Sequence, residues 1–300
     1  MSRTAIFTGY ELAARLLART RREVAELGRA PVGVTLHDPV DVAAGAYLRR
    51  QMAMAHKVGV SLRSEEYAID PEGQIRALAA VPGVDAVMAL TPLPRALTPV
   101  EVARLIGPEK DADGQHPLHA GALLLGDGAT RLPPTALAAL LCAREILGDL
   151  RGAEVVLVGA SRLIGRPLSM LLADAGATVT LCHAETRDLA AHTRCADLIV
   201  TAAGVPGLIG RDHVAEGGLV LDLAVVGTGA GLVGDADLSA LDGHAALISH
   251  VPDGVGPVTT ACLISIIAAA AGCAPFSPGE DVCPGFEDPP NEKRPTGVLP

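Results

Sequence analysis

Two kinds of segment alternate along most of this chain, and that alternation limits the fold more than any other feature. Short runs rich in β-branched residues alternate with segments whose apolar residues recur at helical spacing. In the first half, the helical segments are 11–27, 42–58 and 72–80, and the extended segments are 31–36, 60–67 and 84–90. Strands that alternate with helices predict an α/β fold with a mostly parallel sheet.

The alternation resumes after a proline-rich break at 91–99. The predicted strands are 154–158, 178–182, 198–202, 219–223 and 246–248, and the predicted helices are 134–147, 163–175 and 258–271. We therefore predict two domains. An N-terminal α/β substrate domain spans 1–130 and is completed by the C-terminal helix near 257–272, and a Rossmann-type, doubly wound domain with a parallel sheet spans 131–256. The proline-rich tail at 274–300 is predicted to be extended or disordered.

Composition argues against several classes of protein. The net charge is −10, aromatic residues make up 2% and tryptophan is absent, which is unlike a nucleic-acid-binding protein. None of the six cysteines forms a C-x-x-C pair, and we predict buried thiols and no metal site. The apolar run at 261–271 is too short to span a bilayer, and no signal peptide is evident at 1–10. These observations predict a cytoplasmic protein that binds neither nucleic acid nor membranes.

The segment 155–167 is the most informative local stretch. A β-rich run enters a glycine turn and then a helix, where free backbone N–H groups and the helix dipole favour a pyrophosphate. Ser161 stands where the common G-x-G-x-x-G pattern has its second glycine, and the last glycine comes one residue late. A glycine turn without a ligand is the alternative. The predicted cofactor contacts are Gly159, Ala160, Ser161, Arg162, Ile164 and Gly165, together with His183, Ala203, Gly204 and Pro206 at neighbouring strand ends.

Several motifs in a fixed order carry a family resemblance. Residues 159–167 match a G-x-S-x-x-V-G-x-P loop, and 252–259 match P-G-G-V-G-P-x-T with Asp253 for a glycine. Further matches are K-D-V-D-G at 110–114, P-L-P at 92–94, and A-D-L-[LI]-[IV] leading to G-x-P-G at 196–207. The chain thus resembles the methylenetetrahydrofolate dehydrogenase/cyclohydrolase family over about 5–272. The resemblance implies a folate cleft between the two domains, a tetrahydrofolate one-carbon derivative as substrate, and a homodimer.

The substrate half departs from the family pattern more than the cofactor half. Tyr47 matches the tyrosine of the family's Y-x-x-x-K helix, but Gln51 occupies the lysine position. Leu90 stands for a glutamine, His119 for an asparagine, and His250 for a proline ahead of the second signature. We do not count His250 among the predicted catalytic residues. His116 and His119 are interpreted as parts of a polar loop.

The resemblance assigns roles to the matching positions. The predicted catalytic residues are Tyr47, Gln51 and Asp113. The predicted substrate-binding residues are Tyr47, Leu90, Pro92, Asp113, Pro252, Gly254, Pro257 and Thr259. Tyr47 and Gln51 are four residues apart on a predicted helix, so both face the cleft. Asp113 can accept paired hydrogen bonds from a pterin, the alternative being a loop aspartate that caps a turn.

Two reactions need different help from the protein. Oxidation of the methylene bridge is a hydride loss that depends mainly on positioning. Hydrolysis of the methenyl cation needs an activated water and proton transfers, and Gln51 cannot titrate. Lys57 does not convincingly replace the lysine, because it lies ten residues after Tyr47 and more than two helical turns away. Arg50 does not either, because it stays protonated and is a poor base. We therefore predict a dehydrogenase with weak or absent cyclohydrolase activity.

Three questions stay open at this stage. Glu185 favours NAD by repelling a 2′-phosphate, Arg162 or Arg187 would reverse that, and the family's usual cofactor is NADP. The altered cleft also fits a folate- or nucleotide-binding protein without catalysis. It equally fits a dehydrogenase for another one-carbon carrier or another small substrate.

Overall fold

A computed structural model describes residues 3–38, 42–95, 97–128, 130–229 and 231–275, and the side chains of 42–47 are not described. The strands are β1 Ala5–Phe7, β2 Val32–His37, β3 Ser61–Glu66, β4 Ala86–Ala89, β5 Glu154–Val158, β6 Thr178–Cys182, β7 Leu198–Thr201, β8 Leu219–Asp222, β9 Val226–Thr228, β10 Gly231–Val233 and β11 Leu247–Ser249. The helices are α1 Tyr10–Leu27, α2 Val42–Lys57, α3 Pro71–Ala80, α4 Pro99–Ile106, α5 Pro117–Leu125, α6 Pro134–Leu147, α7 Gly165–Asp174, α8 Leu189–Thr193, α9 Leu238–Leu241 and α10 Val255–Ala270.

Two parallel sheets confirm the predicted α/β class. The smaller sheet has the order β3-β2-β4, with Val34 opposite Arg63 on one side and Val87 on the other. The larger sheet has the order β1-β11-β8-β7-β5-β6, with Val156 between Thr180 and Ile199. After β5, the chain places β6 on one side of it in the sheet and then β7 on the other side. The direction in which strands are added therefore reverses at β5. Ligands bind at such a switch point, at the carboxyl ends of the strands.

The first strand joins the larger sheet, although the prediction assigned residues 1–130 to the first domain. β1 pairs in parallel with β11, so that Ala5 lies opposite Leu247. The chain therefore contributes one strand to the larger sheet before it forms the smaller one. The division into two domains remains a proposal, and β1 is moved in it from the first domain to the larger sheet.

Helix α10 links the cores of the two sheets. Val258 and Cys262, in its first half, are buried in the cluster that covers the larger sheet. Ile264 and Ile267, in its second half, are buried against the smaller sheet. Leu12 and Val24 of α1 divide between the same two clusters. Hence the elements that carry the two sheets share apolar contacts along α1 and α10.

The opposite face of the smaller sheet has its own apolar cover. Val34 and Leu36 of β2 pack with Ile75 of α3 and Val102 of α4. Helix α4 begins with a capping box, in which Thr98 Oγ1 accepts from the Glu101 N–H at 3.4 Å and Glu101 accepts from the Thr98 N–H at 2.8 Å. The smaller sheet is thus enclosed on both faces, which leaves its strand ends as the surface that can meet a ligand.

The predicted tail lies largely outside the described residues. This holds for Phe276 and Phe286 and for the sixth cysteine, Cys283. In the described ranges, no helix is long and apolar enough to cross a membrane.

Candidate functional site

The turn between β5 and α7 leaves no room for a side chain at either of its two glycines. Gly159 has φ +119°, a left-handed conformation that L side chains rarely adopt. A Cβ there would lie 2.5 Å from the carbonyl oxygen of Ala202. A Cβ on Gly165 would collide with the carbonyl oxygen of Gly159. Gly159 is therefore required for the close approach of the turn to the end of β7, and Gly165 for the close approach of the turn to the start of α7.

The same turn presents unpaired donors. Ser161 Oγ accepts hydrogen bonds from the N–H groups of Ile164 at 3.1 Å and Gly165 at 3.3 Å, at the start of α7. In the described part of the chain, the N–H groups of residues 160–163 have no protein acceptor. Four consecutive free N–H groups before a helix N-terminus suit an anion such as a pyrophosphate. This donor set and the space left by the two glycines fit a dinucleotide.

The other predicted cofactor residues lie at the same edge of the sheet. His183 directly follows β6, and its Nδ1 accepts from the Glu185 N–H at 3.2 Å. Ala203, Gly204 and Pro206 follow β7, the strand on the other side of β5. Since carboxyl ends of parallel strands meet at one edge, the structure brings these segments together with the glycine turn. His183, Glu185, Arg162 and Arg187 are all exposed there.

A buried aspartate that the sequence did not reveal holds the loop after β7. Asp235 is fully buried and accepts from Thr201 Oγ1 at 2.6 Å. It also accepts from the N–H groups of Ala203 and Val205, each at 2.7 Å. These three bonds fix the backbone on which three predicted cofactor residues lie. No local pattern marks Asp235, because its partners are about 30 residues away in the sequence.

A second buried aspartate supports the neighbouring strand end. Asp222 ends β8 and accepts from the N–H groups of Ala224 at 2.9 Å and Ala236 at 2.8 Å. Burial raises the pKa of Asp222 to about 6, with the charge of Asp235 acting in the same direction. Its backbone N–H donates to Ser249 Oγ at 2.7 Å, which ties β8 to β11. The carboxyl edge of the larger sheet is therefore held by side chains as well as by the strand ladder.

The segment 252–259, which matches the P-G-G-V-G-P-x-T motif, begins in the short turn between β11 and α10 and continues into the first turn of α10. Gly254 must be glycine, because a Cβ there would lie 2.7 Å from the His250 carbonyl oxygen. Three of the predicted substrate-binding residues, Pro252, Pro257 and Thr259, are half-buried in this turn and in the first turn of α10. His250 Nδ1 lies 3.1 Å from Asp253 Oδ2. The two residues that depart from the family motif are thus in direct contact with each other.

Gln51 is buried in helix α2, with 1% of its surface exposed. Among the described residues, no group donates a hydrogen bond to its Oε1, although most buried polar atoms have a partner. A buried acceptor without a donor is costly, by about 1–3 kcal/mol. The predicted partner on the same helix, Tyr47, lies in α2, but its side chain is outside the described residues.

Asp113 lies in the loop after α4, beside the end of β4. The residue is partly exposed, but protein surrounds its carboxyl group, and this burial raises its pKa to about 8. The nearby charge of Asp111 acts in the same direction, and the backbone N–H of Ala89 opposes it. Asp111 is itself engaged, because it accepts from the N–H groups of Asp113 at 3.0 Å and His116 at 2.6 Å. Asp111 therefore shapes the loop that presents Asp113.

The residues that follow β4 surround Asp113 from one side. The Leu90 carbonyl accepts from the Tyr67 hydroxyl at 2.9 Å, and the Leu90 side chain packs in the core under α10. Burial and the charge of Asp113 both raise the pKa of Tyr67, which keeps this hydroxyl protonated. Pro92 is exposed two residues beyond. Tyr67 is a further candidate that the sequence does not single out, because the pattern there indicates only the end of an extended segment.

The two histidines near Asp113 have structural partners. His119 Nε2 contacts the Pro108 carbonyl at 2.9 Å, and its Nδ1 accepts from the Arg131 N–H at 3.3 Å. His116 Nδ1 accepts from the Leu118 N–H at 3.2 Å and caps α5. Over the described ranges, no group of three or more His, Cys, Asp or Glu residues could hold a metal ion.

Comparisons with known proteins agree with this geometry. Residues 133–274 match the model of the tetrahydrofolate dehydrogenase/cyclohydrolase NAD(P)-binding domain. The bifunctional protein FolD of Parafrankia sp. (strain EAN1pec) is 39% identical over 252 residues, which is 83% of this chain and 91% of that protein.

Two solved structures extend the likeness to the whole fold. The bifunctional FolD methylenetetrahydrofolate dehydrogenase/cyclohydrolase of Campylobacter jejuni has a TM-score of 0.82 and 30% identity, and the match covers 89% of this chain and 98% of that one. The Trypanosoma brucei enzyme, complexed with NADP and an inhibitor, has a TM-score of 0.81 and 29% identity, over 90% and 98% of the two chains. The chain belongs to the methylenetetrahydrofolate dehydrogenase/cyclohydrolase family.

Proposed function

We propose that this protein oxidises 5,10-methylenetetrahydrofolate to 5,10-methenyltetrahydrofolate, with NAD⁺ or NADP⁺ as the acceptor. The observation that carries the proposal is the glycine turn, where four N–H groups without an acceptor among the described residues precede α7 at the switch point of the larger sheet. The nicotinamide, when bound, takes up the hydride. The protein's own part is to hold the two reactants in register, which is the main source of catalysis in such a transfer.

Asp113 is proposed to bind the pterin. With a pKa of about 8, its carboxyl group is largely protonated at pH 7 in the free protein. The amino-pyrimidine edge of a pterin donates N–H groups, which favour the ionised carboxylate. Folate binding is then accompanied by proton release near neutral pH. Calorimetric titrations in two buffers of different ionisation enthalpy measure that proton directly.

Gln51 is proposed to separate the two family reactions. Within the described part of the chain its buried Oε1 meets no donor, so it can accept a hydrogen bond from the folate or from a water that enters with it. A side-chain amide neither gains nor loses a proton near neutral pH, so it cannot act as a general acid or base. Hydride loss forms the methenyl cation without proton removal, whereas hydrolysis of that cation requires proton removal. Cyclohydrolase activity is therefore proposed to be weak or absent.

The choice of cofactor rests on the residues after β6. Glu185 is exposed two residues beyond His183, where its charge disfavours a 2′-phosphate. Arg162 and Arg187 are also exposed at this edge and would favour one. Both NAD⁺ and NADP⁺ are therefore proposed as acceptors, and initial rates with each oxidised nicotinamide decide between them.

The test is a pair of assays on the purified chain. Absorbance growth after adding 5,10-methylenetetrahydrofolate and each nicotinamide, corrected for the methenyl product, measures dehydrogenation. Loss of the absorbance of added methenyltetrahydrofolate measures hydrolysis. We expect Gln51→Lys to raise hydrolysis at least tenfold, while Gln51→Met, the uncharged control, does not. Robust hydrolysis without dehydrogenation would contradict the proposal, and tight folate binding without either reaction would indicate a binding protein.

The family resemblance also leads us to propose a homodimer located in the cytoplasm. Light scattering on the purified full-length chain gives the number of subunits, and fractionation of cells gives the location.

A further inference from the structure

His250 and Asp253 form a pair of side chains next to the proposed folate site. His250 Nδ1 lies 3.1 Å from Asp253 Oδ2, and the Tyr10 hydroxyl donates to the other oxygen, Oδ1. If Nδ1 donates to the carboxylate, Nε2 is left as a hydrogen-bond acceptor. The His250 side chain is 41% exposed, so water can reach it. A histidine oriented by a carboxylate is a common arrangement for a general base.

The backbone that carries this pair is fixed from several sides. The His250 N–H donates to the Phe7 carbonyl at 3.0 Å, and the Gly9 N–H donates to the Asp253 carbonyl at 2.9 Å. Gly9 packs against Gly254 so closely that a Cβ on Gly9 would collide with the Gly254 carbonyl. Both side chains therefore project from a turn that β1 and the start of α1 hold in place. Because the side chains start from a fixed backbone, orienting the base for reaction costs little conformational entropy.

The order of strands places the pair at one end of the dinucleotide edge. The pyrophosphate turn follows β5, and the segment that contacts the adenine-side ribose in such folds follows the next strand, here β6. A dinucleotide bound in this direction would extend its nicotinamide end the other way, over the ends of β7 and β8. β11 is the next strand in that direction, and His250 directly follows it.

Helix α2, which packs with the smaller sheet, also brings a residue near the His250–Asp253 pair. Arg50, next to Gln51, lies near enough to Tyr10 for its charge to act on the phenol, although the hydrogen bond to Asp253 dominates and raises the pKa of Tyr10. Among the described residues, Asp253 contacts His250, Tyr10 contacts Asp253, and the charge of Arg50 acts on Tyr10, so three elements bring charged or titratable groups to this pair.

We propose that His250, oriented by Asp253, is the proton acceptor in a slow hydrolysis of the methenyl cation; this inference rests on the proposed function. The oxygen of a water molecule bonds to the carbon between the two nitrogens, and one water proton passes to His250 Nε2. The electron pair of the C=N bond returns to nitrogen. One C–N bond then breaks with its pair on nitrogen, which takes the proton from the imidazolium, and the hydroxyl proton leaves to solvent as C=O forms. Cation and water thus give an N-formyl product and one proton.

The test compares single variants of the full chain in the hydrolysis assay, after subtraction of the buffer rate. His250→Asn keeps a donor for Asp253 but removes the base, and we expect at least a tenfold loss of hydrolysis with less than a threefold change in dehydrogenation. Asp253→Asn should lose part of the hydrolysis for lack of orientation. His192→Asn, on the exposed surface of α8, is the matched control and should behave as wild type.

A double variant separates the base from a structural effect. In the Gln51→Lys background a second base is present, so adding His250→Asn should cost less than threefold. Dehydrogenase activity, measured in each sample, reports whether the variant is folded. Wild-type hydrolysis no faster than buffer, or an unchanged rate in His250→Asn, would overturn the assignment of His250. Absence of dehydrogenation from the wild type would instead overturn the proposed function.

Discussion

Replacement of Asp235 tests whether the loop after β7 is held by a single buried carboxylate. In Asp235→Ala three donors lose their acceptor, those of Thr201, Ala203 and Val205. A hydrogen bond to a charged group contributes about 1.5–3 kcal/mol, and a donor left buried costs about 1–3 kcal/mol. Thr201 is fully buried, whereas Val205 is 49% exposed and can be compensated by water. The expected loss of unfolding free energy is therefore about 3–5 kcal/mol for alanine, and about half of that for asparagine, which keeps one acceptor oxygen.

The assay is urea denaturation with and without the nicotinamide cofactor, together with the KM for cofactor and for folate. A cofactor that binds only the folded state stabilises it by RT ln(1 + [L]/Kd), so a displaced loop shrinks this increment. We expect Asp235→Asn to raise the cofactor KM about tenfold or more and the folate KM less than threefold. Asp237→Asn is the matched control, since Asp237 only caps α9 and should cost at most about 1 kcal/mol. If Asp235→Asn matched that control in stability and in KM, the reasoning would be wrong.

Three further predictions address the turn, the pterin aspartate and the cofactor choice. Gly165→Ala should abolish cofactor binding in a fluorescence titration, because its methyl group collides with the Gly159 carbonyl, whereas Gly210→Ala, in open space, should bind normally. Asp113→Asn should be more stable than wild type by a margin that grows with pH. The pKa of Asp113 is about 8 in the folded protein but about 4 in the unfolded chain. Its contribution to stability is therefore fully present below about pH 4 and is lost progressively as pH rises to about 8. The upper bound is about 1.4 kcal/mol per pH unit in urea denaturation, and parallel pH curves would contradict it. Glu185→Ser should raise the ratio of kcat/KM for NADP⁺ over NAD⁺ about tenfold, and an unchanged ratio would remove Glu185 from the cofactor site.

Much of the fold could be predicted because its elements carry local signals. The prediction gave the bounds of α6, β5 and β6 correctly, since each has a clear apolar pattern and a turn at its ends. α4 was missed although Thr98, Pro99 and Glu101 form a recognisable helix start. β1 has three residues and becomes a strand only through its distant partner β11, so no local pattern could reveal it.

In the candidate site, too, the parts with local sequence signals could be predicted and the parts that depend on distant contacts could not. The glycine turn and the strand ends beside it could be predicted, because the rule for parallel sheets converts sequence order into position. Asp235 and Tyr67 gained their importance from contacts made far along the chain, with Thr201 and with Leu90. The contact between His250 and Asp253 is local, yet two substitutions in a known motif do not reveal that their side chains meet. Only the turn after β11 brings them together.

The path of the chain through its two sheets has a consequence for dissection of the protein. A fragment that begins at residue 131 lacks β1, so β11 would become an open edge with unpaired N–H and C=O groups, a template for aggregation. A fragment that stops at 130 lacks α10 and exposes the apolar face that Ile264 and Ile267 cover. Neither half is therefore self-sufficient. During synthesis the smaller sheet must wait for residues 255–270 to emerge before its core can close.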